Sequence, residues 1–177
     1  MFDALVLAGG EARRLGGRDK AALVVGGVPL LDRVIAACVA AQRTIVVGPE
    51  RPTARPVTWR REDPPGGGPV PALRAGLEHV TSDRVAVLAA DLPFLTADAL
   101  TLLVESAPAV LSDGRRAQWL CGAWDTASLR TAVEDAGPRL GALLAGLRPA
   151  VLRWAGPGTP WTDCDTEEEL ADARRRA

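Results

Sequence analysis

Short, predominantly apolar runs recur along the chain at positions 4–8, 44–47, 85–89, 109–111, 119–123 and 150–154. The first has the length and continuity of a strand buried on both faces, and the others read as strands. Helical spacing fills the stretches between most of them. Pro29 suits a first helical position, and Leu30, Leu31, Val34, Ile35 and Cys38 follow it on one face. Leu73, Leu77 and Val80 repeat at helical spacing over 71–80, Thr96 can cap a helix carrying Leu100 and Leu103, and 139–147 reads in the same way. Thr166 with Glu169 forms a capping box for a last helix through Ala173, which runs into the cations Arg174, Arg175 and Arg176. Strands alternating with helices predict an α/β fold: a single domain with a mostly parallel twisted sheet, helices on both faces and ligands at the carboxyl ends of the strands. The longest loop, 60–71, is rich in Pro and Gly, and a loop of that length in a compact domain is more often functional than idle. Asp113-Gly114-Arg115-Arg116 predicts a hairpin turn ahead of the strand at Trp119.

Composition excludes several classes without changing that picture. The length of 177 residues fits one domain. With 21 basic and 22 acidic side chains the formal charge is −1, so no global attraction to nucleic acid or to a membrane is expected. Cys38, Cys121 and Cys164 lie far apart with no C-x-x-C spacing, which argues against a zinc site or disulfide framework and fits a reducing compartment. The first apolar run stops at Gly9, too short for a signal sequence or a membrane span, and a cytoplasmic location is expected. His79, the only histidine, lies among polar neighbours and takes no role, and Trp119 and Trp124 read as packing residues.

The densest chemistry lies between Leu5 and Lys20. A buried strand ends in Gly9-Gly10, where the backbone can turn tightly or approach a ligand, and Arg13, Arg14, Arg18 and Lys20 follow, with Gly16-Gly17 keeping the loop free of bulk. Backbone N–H groups in such a loop form an anion-binding concavity, and the cations add charge-assisted hydrogen bonds, so a polyphosphate is the expected ligand. A dinucleotide fingerprint is excluded because the first two glycines are adjacent. A Walker A loop is excluded because Lys20 follows Asp19 and precedes Ala21. A solvated surface loop is the competing reading of these residues.

Three further carboxylates stand out. Asp91, in Asp91-Leu92-Pro93, leaves a buried strand at the edge where ligands bind, and Thr96 is the better cap for the helix that follows. Magnesium is commonly held by one or two carboxylates together with substrate phosphates, so Asp91 is a metal-ligand candidate. Asp163 and Asp165 precede the last helix, either as further metal ligands or as anions favouring its N-terminus.

Leu7-Ala8-Gly9-Gly10, Arg14, Gly16-Gly17 and Asp19-Lys20 match every fixed position of the LAGG-x-x-x-R-x-G-G-x-D-K pattern of the molybdenum cofactor guanylyltransferases, a family within the nucleotidyltransferase superfamily. Asp91-Leu92-Pro93 resembles that family's Cys-Asp-x-Pro element with Ala90 for the cysteine, and Asp165-Thr166 with Glu168 to Leu170 resembles its carboxyl-terminal element. The resemblance implies a Rossmann-like nucleotidyltransferase fold in which Leu7, Ala8, Gly9 and Gly10 lie against the nucleotide, together with Gly48, Asp63 and Asp91. It gives Arg14 and Lys20 the phosphates, and Asp91, with Asp163 or Asp165, a magnesium ion. The implied reaction transfers GMP from GTP to molybdopterin or its molybdenum form. The partners are then those substrates and, transiently, proteins that accept the finished cofactor. The chain departs from the family pattern at Gly48, where relatives carry asparagine, at Pro71 and Ala72 in the glycine-proline element, and at Ala117-Gln118 on the acceptor side. Three other readings stay open on the residues alone: transfer of CTP or another nucleotide to a sugar phosphate or small phosphorylated metabolite, nucleotide binding that regulates a partner without chemistry, and an interaction protein with a solvated arginine loop.

Overall fold

The computed structural model describes all residues except 10, 13–17, 135, 136 and 138, and the backbone alone of 11, 12 and 18. The strands are β1 (Asp3–Leu7), β2 (Glu11–Ala12), β3 (Arg18–Asp19), β4 (Val24–Val25), β5 (Val28–Pro29), β6 (Thr44–Val47), β7 (Thr58–Arg60), β8 (Arg84–Ala89), β9 (Ala109–Ser112), β10 (Ala117–Asp125) and β11 (Ala150–Arg153). The helices are α1 (Leu30–Ala37), α2 (Pro69–Leu77), α3 (Ala97–Glu105), α4 (Thr126–Glu134), α5 (Leu140–Gly146) and α6 (Glu167–Arg176). Seven strands form one sheet in the order β11-β9-β10-β8-β1-β6-β7, and β2-β3 and β4-β5 are two small ribbons. Every pairing in the large sheet is parallel except the two made by β10.

The alternation of side chains along each strand decides which helix covers which face. In β1, Ala4 and Val6 join a cluster with Leu31, Val34 and Ile35 of α1 and Leu100 and Leu103 of α3. Leu5 and Leu7 point the other way, into a cluster with Val70, Leu73 and Leu77 of α2, Leu129 of α4 and Leu144 of α5. All of β1 is buried, which is why its sequence reads as a continuous apolar run. Each such leucine contributes roughly 1.5–3 kcal/mol on burial, so the central strands are the rigid frame from which the site projects.

Several boundaries differ from the expectation, each for a local reason. Pro29 is the residue before α1, extended at φ −55° and ψ 145° and paired with Val24 across the β4-β5 ribbon. The proline φ suits an extended residue as well as a helical one. Helix α2 begins at Pro69 rather than Pro71, because both prolines fall in the first turn, where backbone N–H groups have no helical partner. Strand β7 lacks an apolar run because it is a partly exposed edge, and α4 buries only Thr126, Leu129 and Val133, too few positions to mark a helix in sequence. Strand β10 is longer than expected and leaves register with β9 between Gln118 and Gly122. The caps of α3 and α6 form as expected: Thr96 Oγ1 accepts from Ala99 N at 3.2 Å, and Thr166 and Glu169 make both bonds of the capping box. The turn at Asp113 also forms, with Asp113 Oδ1 accepting from the amides of Arg115 and Arg116 at 2.7 and 2.6 Å. Trp124 is fully buried.

Candidate active site

Four strand ends, those of β1, β6, β7 and β8, converge at the carboxyl edge of the sheet and are tied by their backbones. Ala8 N donates to Val47 O at 2.7 Å, Ala90 N to Leu7 O at 3.1 Å and Gly48 N to Arg60 O at 2.9 Å. The loops after β1, β6, β7 and β8 therefore leave the sheet side by side. Gly48 allows this approach: a Cβ there would lie 2.8 Å from both the carbonyl carbon and oxygen of Ala8 and 3.1 Å from Gly9 N. Any larger residue there would force the β1 loop away.

Lys20 opens a 3-10 turn, Lys20–Ala22, directly after β3. Its Nζ forms ion pairs with both Asp91, two residues beyond β8, and Asp165, just before α6. Asp91 is 7% exposed, so its charge has little water and depends on this partner. Burial alone would pull the Lys20 ammonium down, but the charges and hydrogen bonds of Asp91 and Asp165 outweigh burial and hold its pKa above the ordinary lysine value. The cation therefore persists through neutral pH. Asp163 is exposed, yet desolvation at the cleft, followed by the charges of Asp91 and Asp165, holds its carboxyl above the ordinary aspartate value against the pull of Lys20. Burial pushes the thiol of Cys164 up to about 11, so it supplies no thiolate nucleophile near neutral pH.

A satellite cluster brings the chain's far end to this point. Leu23, Val25 and Leu30 pack with Cys164, Leu170 and Ala173, with Phe94 against them. Burying Leu170 and Ala173 on the ribbon sets α6 so that Asp165, one residue ahead of its cap, faces Lys20. Arg174 Nε donates to Val24 O at 3.0 Å, and the Arg176 guanidinium stacks 4.1 Å above the Phe94 ring. Arg33 links the same ribbon to the loop after Asp91, donating to Val25 O at 2.8 Å and Pro93 O at 3.3 Å. On the opposite flank, Arg51 pairs with Asp19 and donates to Pro49 O at 3.2 and 3.0 Å, joining the β6 loop to the residue before Lys20.

Leu7, Ala8, Gly9, Gly48, Lys20, Asp91 and Asp165 thus lie at one edge of the sheet. Gly10 and Arg14 lie outside the described residues. Asp63 is exposed, whereas its neighbour Glu62 is 7% exposed and turns inward. Glu62 Oε1 accepts from Gly66 N at 2.9 Å, and a Cβ placed on Gly9 would lie 3.7 Å from that oxygen. Sequence reasoning missed both Glu62 and Arg51. A polar residue in a glycine-rich loop carries no periodicity to mark it as buried, and an arginine pairing across 32 positions leaves no local signal.

Among the described residues no group of three or more His, Cys, Asp or Glu side chains converges as a ready-made metal cage. Two carboxylates, Asp91 and Asp165, do share one cation in Lys20 Nζ. An oxygen pair of that kind suits magnesium, which is commonly held by one or two carboxylates and completed by substrate phosphate and water.

The family model described as "MobA-like NTP transferase domain" matches residues 4–156. The chain is 33% identical to a molybdenum cofactor guanylyltransferase of Bradyrhizobium sp. (strain ORS 278), covering 98% of this chain and 92% of the relative. It is 29% identical to one of Rhodobacter capsulatus, covering 97% and 94%. Its fold is similar to the crystal structure of molybdopterin-guanine dinucleotide biosynthesis protein A from Archaeoglobus fulgidus, with a TM-score of 0.79, 18% identity and coverage of 98% and 97%. No helix among the described residues is long and apolar enough to cross a membrane. With a glycine-ended first strand, a lysine held between two carboxylates at the sheet edge, and a match over most of its length, the chain belongs to the MobA-like NTP transferase family.

Proposed function

We propose that the protein is a molybdenum cofactor guanylyltransferase that joins GMP from GTP to the phosphate of molybdopterin or its molybdenum form and releases pyrophosphate. The observation that carries this reading is the shared grip of Asp91 and Asp165 on Lys20, at the sheet edge where Ala90, next to Asp91, is bonded to Leu7. The guanylyltransferase names of the two relatives support the choice of nucleotide and acceptor.

In this reading a phosphate oxygen of the acceptor attacks the α-phosphorus of GTP. A new P–O bond forms as the bond from Pα to the bridging oxygen of the β-phosphate breaks, and the electron pair leaves with pyrophosphate. The acceptor phosphate is already ionised near neutral pH, so no general base is required and catalysis consists of alignment and charge neutralisation. The backbone of Leu7, Ala8, Gly9 and Gly10 positions the nucleotide, with Gly48 and Asp63 at its flank. Lys20 leaves its carboxylate partners for the triphosphate, and Arg14 meets the same phosphates. Asp91, with Asp165 or Asp163, would hold magnesium, which would supply neutralisation of phosphate charge. The three unpaired, buried thiols fit a reducing compartment, and the reaction is assigned to the cytoplasm.

The test is a panel of GTP, CTP, ATP and UTP with magnesium and molybdopterin, reading pyrophosphate and the dinucleotide product. Guanylated product formed from GTP alone is the expected result. Pyrophosphate and dinucleotide formed from CTP, and none from GTP, overturn the assignment.

A further inference from the structure

Glu62 is a buried side chain that the reaction described above does not use. It lies on the loop between β7 and α2, at the same sheet edge as the nucleotide backbone. One of its oxygens takes the Gly66 N–H at 2.9 Å, while Oε2 is buried with no hydrogen-bond partner among the described residues. A buried acceptor without a donor is costly, and native proteins retain such groups mainly where something else is to be satisfied. Glu62 also sits between two glycine segments. Gly9 faces it from the end of β1, and Gly66 and Gly68 have nothing within 4 Å of where a side chain would begin. Their open face leaves room for a planar ring against the loop, next to the backbone that holds the nucleotide.

We infer that Glu62 is the specificity-determining residue for guanine, an inference that rests on the guanylyl-transfer reading. Oε1 stays on the Gly66 amide and fixes the carboxylate. Oε2 accepts from the N1–H and 2-amino donors of the base as the base enters over Gly66 and Gly68. A carboxylate only accepts, and guanine is the common base that offers two adjacent donors on one edge. Cytosine and adenine present an acceptor nitrogen beside a single amino group, and uracil presents one N–H flanked by carbonyls, so each leaves Oε2 facing a lone pair or half satisfied. Sites built to receive an N–H reject analogues that lack it, because their own buried group is then left unpaired.

The experiment measures magnesium-nucleotide binding by calorimetry for wild type and Glu62→Gln, with GTP, ITP and CTP. Inosine keeps N1–H and lacks the 2-amino group. Wild type should bind GTP at least about 10-fold more tightly than ITP, and Glu62→Gln should lose roughly 10- to 100-fold for GTP, the scale of a hydrogen bond to a charged group. The variant should lose far less for CTP, so that base selectivity collapses. Equal losses for all three nucleotides would show that Glu62 only braces the glycine loop and would overturn the inference, as would unchanged GTP binding. Should the variant fail to fold, wild type alone decides: equal affinity for GTP and ITP overturns the reading of the 2-amino group. A wild type that binds CTP in preference to GTP sinks the guanylyl reading itself, whereas preference for GTP with an unaltered variant sinks only the role of Glu62.

Discussion

The two halves of the sheet each end in a partly exposed edge strand but differ in how their inner strands are paired. In the half formed by β8, β1, β6 and β7, the central strand is buried along its whole length and its carboxyl end is tied by backbone bonds to both neighbours. In the half formed by β10, β9 and β11, the register breaks between Gln118 and Gly122, and β11 is an edge with Val151 57% exposed. Lys20, Asp91, Glu62 and the glycine backbone all gather at the ends of the first half. The glycine backbone and Asp91 follow strands paired on both sides, β1 and β8, whereas Lys20 stands on the turn after β3 and Glu62 on the loop after the edge strand β7. The register break falls beside Ala117-Gln118, on the side expected to meet the acceptor.

This contrast can be broken in graded steps. Asp91→Asn should lower pyrophosphate release by roughly 100-fold or more with an unchanged circular dichroism spectrum, and near-normal turnover would remove Asp91 from the metal site. Leu5→Ala, in the middle of β1, should cost about 2–5 kcal/mol of unfolding free energy in denaturant titration. A cost below 1 kcal/mol, on the order of a surface change, would mean that this half is no more rigid than the other. Gly48→Ala pushes a methyl group into the Ala8 carbonyl and should cost roughly 1–3 kcal/mol while weakening GTP binding. Stability lost without any change in GTP affinity would detach the β6 loop from the nucleotide.

Smaller effects are expected in the half formed by β10, β9 and β11. Asp125 Oδ1 accepts from the hydroxyl and amide of Ser128, at 2.5 and 2.8 Å, and so caps α4. Those bonds hold its carboxyl below the ordinary aspartate value. A lowered folded-state pKa contributes stability that is present in full above the unfolded-state pKa and is lost as pH falls through the folded one. Asp125→Ala should therefore cost about 1 kcal/mol at neutral pH and less in acid, and a difference that does not shrink as the pH is lowered would exclude the charged cap. Val151→Ser on β11 should change stability by no more than about 0.5 kcal/mol; a larger loss would reveal that the edge is covered in solution.

What could be read in advance follows from how locally each feature is encoded. The apolar run ending at Gly9, the caps at Thr96 and Thr166 and the Asp113-Gly114 turn depend on neighbours within a few positions, and each forms as expected. Strand β7 and helix α4 bury too few side chains to leave a period, and the start of α2 was misplaced because two prolines both fit a first turn. At the site, the residue types and their strand-end positions were legible, so Lys20 and Asp91 could be named together.

The sequence by itself determined the alternation of strands and helices, the glycine loop after β1 and the carboxylates available to it, because periodicity, caps and motifs act over a few residues. Only the tertiary structure decided that Asp165 reaches Lys20 from 145 positions away, that Glu62 rather than Asp63 turns inward, and that Arg51 holds Asp19. Those outcomes depend on how α6 packs on the β4-β5 ribbon and how the loops after β6 and β7 cross the sheet edge. Packing of that kind joins positions distant in the chain, where no local pattern can record it.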